Sequence, residues 1–91
     1  MLKLNTYFEG KVQSIEFERL GRRITAGVIL PGEYHFDTEA PERTTVVSGE
    51  LEAKVGDRWQ AYPAGTAFEI AGHSGFEVRA REPVAYLCEF L

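Results

Sequence analysis

Short apolar runs, several of them alternating with polar residues, follow one another along this chain and are separated by glycine or proline. In Lys11 to Phe17, Val12 and Ser14 alternate with Gln13 and Ile15. A denser apolar run ends at Pro31-Gly32, a strong turn signal. A period of two bounded by turn residues is typical of β-strands.

The same pattern continues to the end of the chain and predicts about eight or nine strands. The runs are 11–17, 24–30, 34–36, 44–47, 51–55, 59–62, 66–70, 76–80 and 84–91. No window keeps a helical stripe, and Asn5 to Gly10 is predicted to hold one short helical turn at most. The expected architecture is an all-β sandwich or barrel forming a single domain over residues 1–91.

Composition narrows the classes of protein to be considered. The chain has 91 residues, 44% of them hydrophobic, and a net charge of −4 that argues against a nucleic-acid partner. Its one cysteine, Cys88, excludes an internal disulfide and a cysteine-cluster zinc site. No apolar stretch of membrane-spanning or signal-peptide type is found, so we expect no membrane and a cytoplasmic location.

Two turn motifs indicate the kind of barrel. Glu42 is followed after six residues by Gly49, and the triplet Pro63-Ala64-Gly65 comes about fourteen residues later. Gly49 suits a tight hairpin turn, and the triplet suits a turn that re-enters the barrel. In this order the motifs resemble those of cupins, which predicts a cupin-type β-barrel (jelly roll) with no substantial helix.

The histidines of a metal-binding cupin are missing. Phe36, Thr38 and Phe68 occupy their three positions, and only Glu42 remains of the usual ligand set. One carboxylate does not hold a transition metal against water. We therefore expect no metal and no other cofactor, and a pocket of aromatic rings around one acid that suits a flat organic ring.

Four segments of the chain carry a family resemblance: NTYFEGKVQSI, GEYHFDTEAPERTTVVSG, PAGTAFEIAGHSGFEV and EPVAYLCEFL. Together they resemble the small pyrimidine/purine nucleoside phosphorylase family of cupins. The resemblance implies a cytoplasmic, homodimeric transferase of broad specificity. Such an enzyme converts a purine or pyrimidine nucleoside plus phosphate to free base plus α-D-ribose 1-phosphate.

Phosphorolysis passes through a positively charged, oxocarbenium-like sugar, so it calls for an acid, a base-binding surface and an anion site. Glu42 is the candidate to stabilise that charge and accept ribose hydroxyls, or to act as an acid toward the leaving base. A surface glutamate paired with Arg43 is the alternative. His73 could donate to phosphate or to the base, or be a solvated loop residue.

The remaining candidates are assigned to substrate and phosphate. Phe36 and Phe68 are predicted to flank the base, although both could be plain core. Tyr34 and Thr38 are predicted to offer hydroxyls to the substrate, although both could simply flank turns. For phosphate we expect Arg23 and Ser74, with Lys11 and Arg79 as further cationic candidates.

Two other classes of protein remain open. One is a non-catalytic, metal-free cupin that binds a small nucleotide- or sugar-like ligand. The other is a structural dimer whose aromatics are core. Dimerisation is expected because the chain is short and its apolar last strand would leave an exposed edge.

Overall fold

The computed structural model describes residues 2–91, which form β-strands and one 3₁₀ turn (Phe8–Gly10). The ten strands, in chain order, are β1 (Lys3–Tyr7), β2 (Val12–Arg19), β3 (Arg22–Ile29), β4 (Gly32–Asp37), β5 (Glu42–Ser48), β6 (Glu50–Val55), β7 (Arg58–Pro63), β8 (Ala67–Ile70), β9 (Gly75–Ala80) and β10 (Val84–Phe90). No α-helix occurs in this range, and none of its helical structure is long and apolar enough to cross a membrane.

The strands form two antiparallel sheets that pack face to face. The six-stranded sheet has the order β1-β2-β3-β10-β5-β8, and the four-stranded sheet has the order β4-β9-β6-β7. The inward-facing side chains of both sheets make one core. Its largest fully buried members are Leu51, Val12, Val46, Val78 and Val84.

The predicted strands and the all-β class are confirmed, but the chain contains a strand that the sequence did not predict. The helical turn predicted over Asn5 to Gly10 is wrong up to Tyr7, where the chain is strand β1 paired with β2. Only Phe8–Gly10 forms a helical turn, and Phe8 and Glu9 have the left-handed φ values of 51° and 57°. The apolar side chain of Leu4 is exposed, so β1 lacks the usual apolar face.

The last strand does not lie at an edge, which corrects one argument for a dimer. β10 is hydrogen-bonded to β3 on one side and to β5 on the other. Because β10 lies in the interior of the six-stranded sheet, its backbone is paired on both sides and offers no free edge. The edges of that sheet are β1 and β8.

The turn at Gly49 is as tight as its motif predicts. Gly49 joins β5 to β6 with φ +84°, and a Cβ there would lie 2.8 Å from the carbonyl oxygen of Pro83. Both the backbone conformation and the close approach require glycine. The turn therefore fixes the direction in which the chain passes from β5, the strand that begins at Glu42, to β6 in the four-stranded sheet.

Candidate functional site

A cavity of about 440 Å³ lies between the two sheets and is lined by both. This volume is within the range of small-molecule sites. Because every strand pair around it is antiparallel, side chains that face inward on neighbouring strands stand opposite each other and form rows across the sheet.

The rows of the six-stranded sheet change from apolar to polar along the cavity. At the closed end, Val12, Ile29 and Val84 stand in one row and are 0–4% exposed. The next row holds Ser14 and Tyr86, which stand on either side of Gly27.

Two further rows complete this polar wall. One crosses the sheet as Glu16, Thr25, Cys88, Thr44 and Phe68. The other, at the open end that we call the mouth, crosses it as Phe90, Glu42 and Ile70, and the Arg23 side chain lies over the ring of Phe90. Both carboxylates of the wall thus lie in the half of the cavity nearest to solvent.

Gly27 makes room for Tyr86 in the polar wall. A Cβ on Gly27 would lie 2.6 Å from the Tyr86 hydroxyl oxygen and 2.7 Å from its ring carbon Cζ. The phenol therefore lies across the backbone of β3. Burial raises the pKa of Tyr86 to about 12, so the group is a neutral hydroxyl at physiological pH.

The opposite wall comes from the four-stranded sheet and is mainly apolar. Phe36 and Phe76 stack with ring centroids 5.7 Å apart and an interplanar angle of 26°. Leu51 and Val78 are fully buried beside them. Phe68, from β8, closes the corner between the walls with its ring centroid 6.2 Å from that of Phe76.

Glu42 is the half-buried acid of the cavity. Its Oε1 accepts a hydrogen bond from the Cys88 thiol at 3.2 Å. Burial raises the pKa of Glu42 above its ordinary value, while the thiol and the positive charge of Arg23 oppose the rise. Burial also raises the pKa of Cys88 to about 12, so this residue is a thiol that donates and Glu42 is the acceptor.

Four of the eight predicted site residues line this cavity: Glu42, Phe36, Phe68 and Arg23. The guanidinium carbon of Arg23 lies 3.9 Å from the centroid of the Phe90 ring, at the mouth. The structure thus brings the predicted acid, two predicted aromatics and one predicted cation to one place.

Tyr34 and Thr38 do not line the cavity, because their hydroxyls are engaged elsewhere. The Tyr34 hydroxyl donates to the carbonyl oxygen of Leu30 at 2.8 Å. The Thr38 hydroxyl donates to the carbonyl oxygen of Ala71 at 2.7 Å and accepts from the Ser74 amide at 3.0 Å. These bonds attach β4 to its neighbouring loops.

His73 and Ser74 lie on the loop before β9 and also outside the lining. His73 is exposed, has φ 51°, and donates its backbone N–H to the carbonyl oxygen of Glu39 at 3.1 Å. The Ser74 carbonyl accepts from the Thr38 amide at 2.8 Å. Both residues therefore hold the end of β4 through backbone contacts, and their assigned roles stay predictions.

The two further cations proposed for phosphate point away from the cavity. Lys11 lines a groove on the outer face of the six-stranded sheet. Arg79 lies on the outer face of the four-stranded sheet, where it donates to Glu52 Oε2 at 3.1 Å and lies over the Trp59 ring.

The residues at the cupin metal positions do not fit a metal ion. Phe36 and Phe68 have no donor atom, and the Thr38 hydroxyl is bonded to backbone. Within residues 2–91, no group of three or more His, Cys, Asp or Glu side chains is placed to hold a metal. Glu42 is therefore available for other chemistry.

The contribution of β1 to the cavity was not predicted from the sequence. This strand places Lys3, Asn5 and Tyr7 on the cavity, and the Asn5 amide donates to Glu16 Oε1 at 3.4 Å. The available signal was the alternation of Lys3 and Asn5 with Leu2 and Leu4, in which the polar residues face inward. Polar residues that alternate with apolar ones are normally expected to face solvent, because the interior of a protein is expected to be apolar. In β1 the orientation is reversed.

Comparison with known proteins identifies relatives over the whole chain. A family model described as pyrimidine/purine nucleoside phosphorylase matches residues 2–90. Proteins of that name from Sorangium cellulosum and from an Anaeromyxobacter species are 64% and 60% identical, covering 100% of this chain and 100% and 89% of their own lengths.

Solved structures agree with this result. A Vibrio parahaemolyticus protein of unknown function superimposes with a TM-score of 0.96 at 45% identity, covering 100% of this chain and 99% of the other. A cupin domain of an Enterobacter cloacae transcriptional regulator gives a TM-score of 0.75 at 20% identity, over 87% of this chain and 94% of the other, which confirms the cupin fold alone. The chain belongs to the pyrimidine/purine nucleoside phosphorylase family.

Proposed function

We propose that this protein is a broad-specificity nucleoside phosphorylase that converts a purine or pyrimidine nucleoside and phosphate to the free base and α-D-ribose 1-phosphate. Family membership supports the reaction. The observation that carries it structurally is one cavity with an aromatic wall facing a wall of hydroxyls and carboxylates. Those two surfaces match the two halves of a nucleoside.

The base binds against the aromatic wall. Phe36 and Phe68 supply ring faces, and Leu51 and Val78 add apolar lining beside them. Stacking on such side chains does not depend on the hydrogen-bonding pattern of the base. This explains how one pocket can accept both purines and pyrimidines.

The sugar binds against the polar wall, next to Glu42. In the reaction the C1′–N bond breaks, its electron pair leaves with the base, and a phosphate oxygen forms the new bond to C1′, while the proton that phosphate loses is taken up by the base. Positive charge develops on the sugar in between, and an ionised carboxylate in a partly desolvated cavity stabilises it. The thiol of Cys88 donates to Glu42, as expected when the carboxyl group is ionised.

Arg23 supplies positive charge for phosphate at the mouth. Its position over Phe90 holds the plane of the guanidinium and leaves N–H groups at its edges. Phosphate bound there would approach the sugar from the side of the cavity nearest to solvent.

The test is an assay for base release that depends on phosphate. The purified protein is incubated with uridine, adenosine or guanosine, with and without phosphate, and the products are separated by chromatography. Base and ribose 1-phosphate in equal amounts, only with phosphate, are the expected result. If no base appears while a nucleoside raises the melting temperature, the protein is a metal-free binding module and the proposal fails.

We further propose that the protein is a cytoplasmic homodimer. The outer face of the six-stranded sheet carries an apolar row in which Leu4, Ile15 and Ala26 stand opposite one another and Leu87 continues the row. Ile15 is 44% exposed and Leu4 65%. A second copy covering this face would remove that surface from water.

The oligomeric state is measured by light scattering coupled to size-exclusion chromatography. The expected mass is twice 10.2 kDa, and Ile15→Glu should lower it to that of one chain, whereas Glu33→Gln on the other sheet should not. A monomeric natural protein would contradict the dimer, and cell fractionation checks the location.

A further inference from the structure

We infer that Lys3, on the strand β1, binds the reacting phosphate together with Arg23. The inference rests on the proposed function and adds a second phosphate ligand to it. Of the ten lysine and arginine residues in the sequence, only Lys3 and Arg23 line the cavity.

Neither of these cations is neutralised by an ion pair within residues 2–91. In that range Arg22, Arg43, Arg79 and Arg81 all lie within 4 Å of a carboxylate oxygen. A cation at a cavity wall without a counter-ion attracts an anion, and phosphate is the anion that the reaction consumes.

The strand order places the two cations at a suitable separation. β1 and β3 are both paired with β2, so their backbones are two strand spacings apart. Lys3 stands in the row of Glu16 and Thr25, and Arg23 lies two residues further along β3, so the Cα atoms of the two cations are about 12 Å apart. Extended lysine and arginine side chains cover most of that distance from either side. Arg23 would bind two oxygens through the edge of its guanidinium, and Lys3 would add a point charge.

Each cation stands opposite an acid of β2: Glu18 is opposite Arg23 but does not line the cavity, whereas Glu16 does. Glu16, on β2, stands opposite Lys3, and the Asn5 amide donates to its Oε1. Near neutral pH inorganic phosphate still carries a proton, so its P–O–H group can donate a hydrogen bond to the Glu16 carboxylate. Glu16 is therefore compatible with phosphate at this place but not with a fully deprotonated anion such as sulfate, which offers no proton.

The experiment compares Lys3→Gln with Lys11→Gln in the full chain. Lys11 lies on the outer face of the same sheet and serves as the matched control. For Lys3→Gln we expect the KM for phosphate to rise about tenfold or more, with the KM for uridine changed less than twofold. The control should leave both constants unchanged, and an unchanged phosphate KM in Lys3→Gln would overturn the inference.

A binding measurement separates this inference from the proposed function. Inorganic phosphate should raise the melting temperature of the natural protein more than sulfate does, and Lys3→Gln should remove most of that rise. If phosphate stabilises the natural protein but no base is released, the anion site stands and the phosphorylase activity fails. Equal stabilisation of both proteins by phosphate would exclude Lys3 as a ligand, whatever the activity.

Discussion

The two sheets border the same cavity, but they contribute to it in opposite ways. The four-stranded sheet presents Phe36, Phe76, Leu51 and Val78, which also belong to the core or pack against it. Toward the mouth, the six-stranded sheet faces the cavity with acids, hydroxyls and a thiol, and carries apolar side chains such as Ile15 on its outer face. We conclude that bond breaking depends on the polar wall, whereas the apolar wall supplies stability and the surface for the base, so that substitutions in each should affect different quantities.

The largest expected effect is on the chemistry of the polar wall. Glu42→Gln removes the carboxylate but keeps its size, and kcat/KM should fall about 10²-fold or more because the charge that stabilises the sugar is lost. Steady-state kinetics measures this, with Glu50→Gln, an exposed acid outside the cavity, as the control. Near-normal activity in a folded Glu42→Gln would refute the assignment.

A truncation in the apolar wall should affect stability instead. Leu51 is 0% exposed, and Leu51→Ala should cost about 3 kcal/mol in the free energy of unfolding. Val47→Ala, at a position that is 54% exposed, should cost about 0.5 kcal/mol or less. Urea unfolding measures both, and equal losses would show that the core does not depend on this wall.

The pH dependence of activity should report on Glu42. Burial raises its pKa, so the carboxylate that the reaction requires is lost as pH falls, beginning at a higher pH than for an ordinary glutamate. Cys88→Ala removes a hydrogen bond that lowers this pKa, so it should move the acidic limb of kcat/KM to still higher pH. An acidic limb at the same pH in Cys88→Ala would show that Cys88 does not affect the pKa of Glu42.

The smallest effect is expected on the loop outside both walls. His73→Ala should change kcat/KM less than twofold because His73 is exposed and its hydrogen bond to Glu39 is made by its backbone. The same assay checks it. A loss of kcat/KM as large as that of Glu42→Gln would show that His73 takes part in catalysis.

The sequence was sufficient for the fold and for part of the site. Period-two patterns and the turns at Gly49 and Gly65 predict the strands because those features are local. The cupin register also placed Glu42, Phe36 and Phe68 on one cavity. Whether a hydroxyl such as that of Thr38 is free depends on loops distant in the sequence, since its partner Ala71 is 33 positions away.

The position of β1 has a consequence for how the cavity opens. This strand is hydrogen-bonded on one side only, to β2, so it should open locally at a lower free energy than the interior of the sheet. It also places Lys3 and Asn5 on the wall of the cavity. Anion binding and the order of the N-terminal strand are therefore thermodynamically linked: phosphate should slow amide hydrogen exchange in β1 more than in β8, the opposite edge of the same sheet.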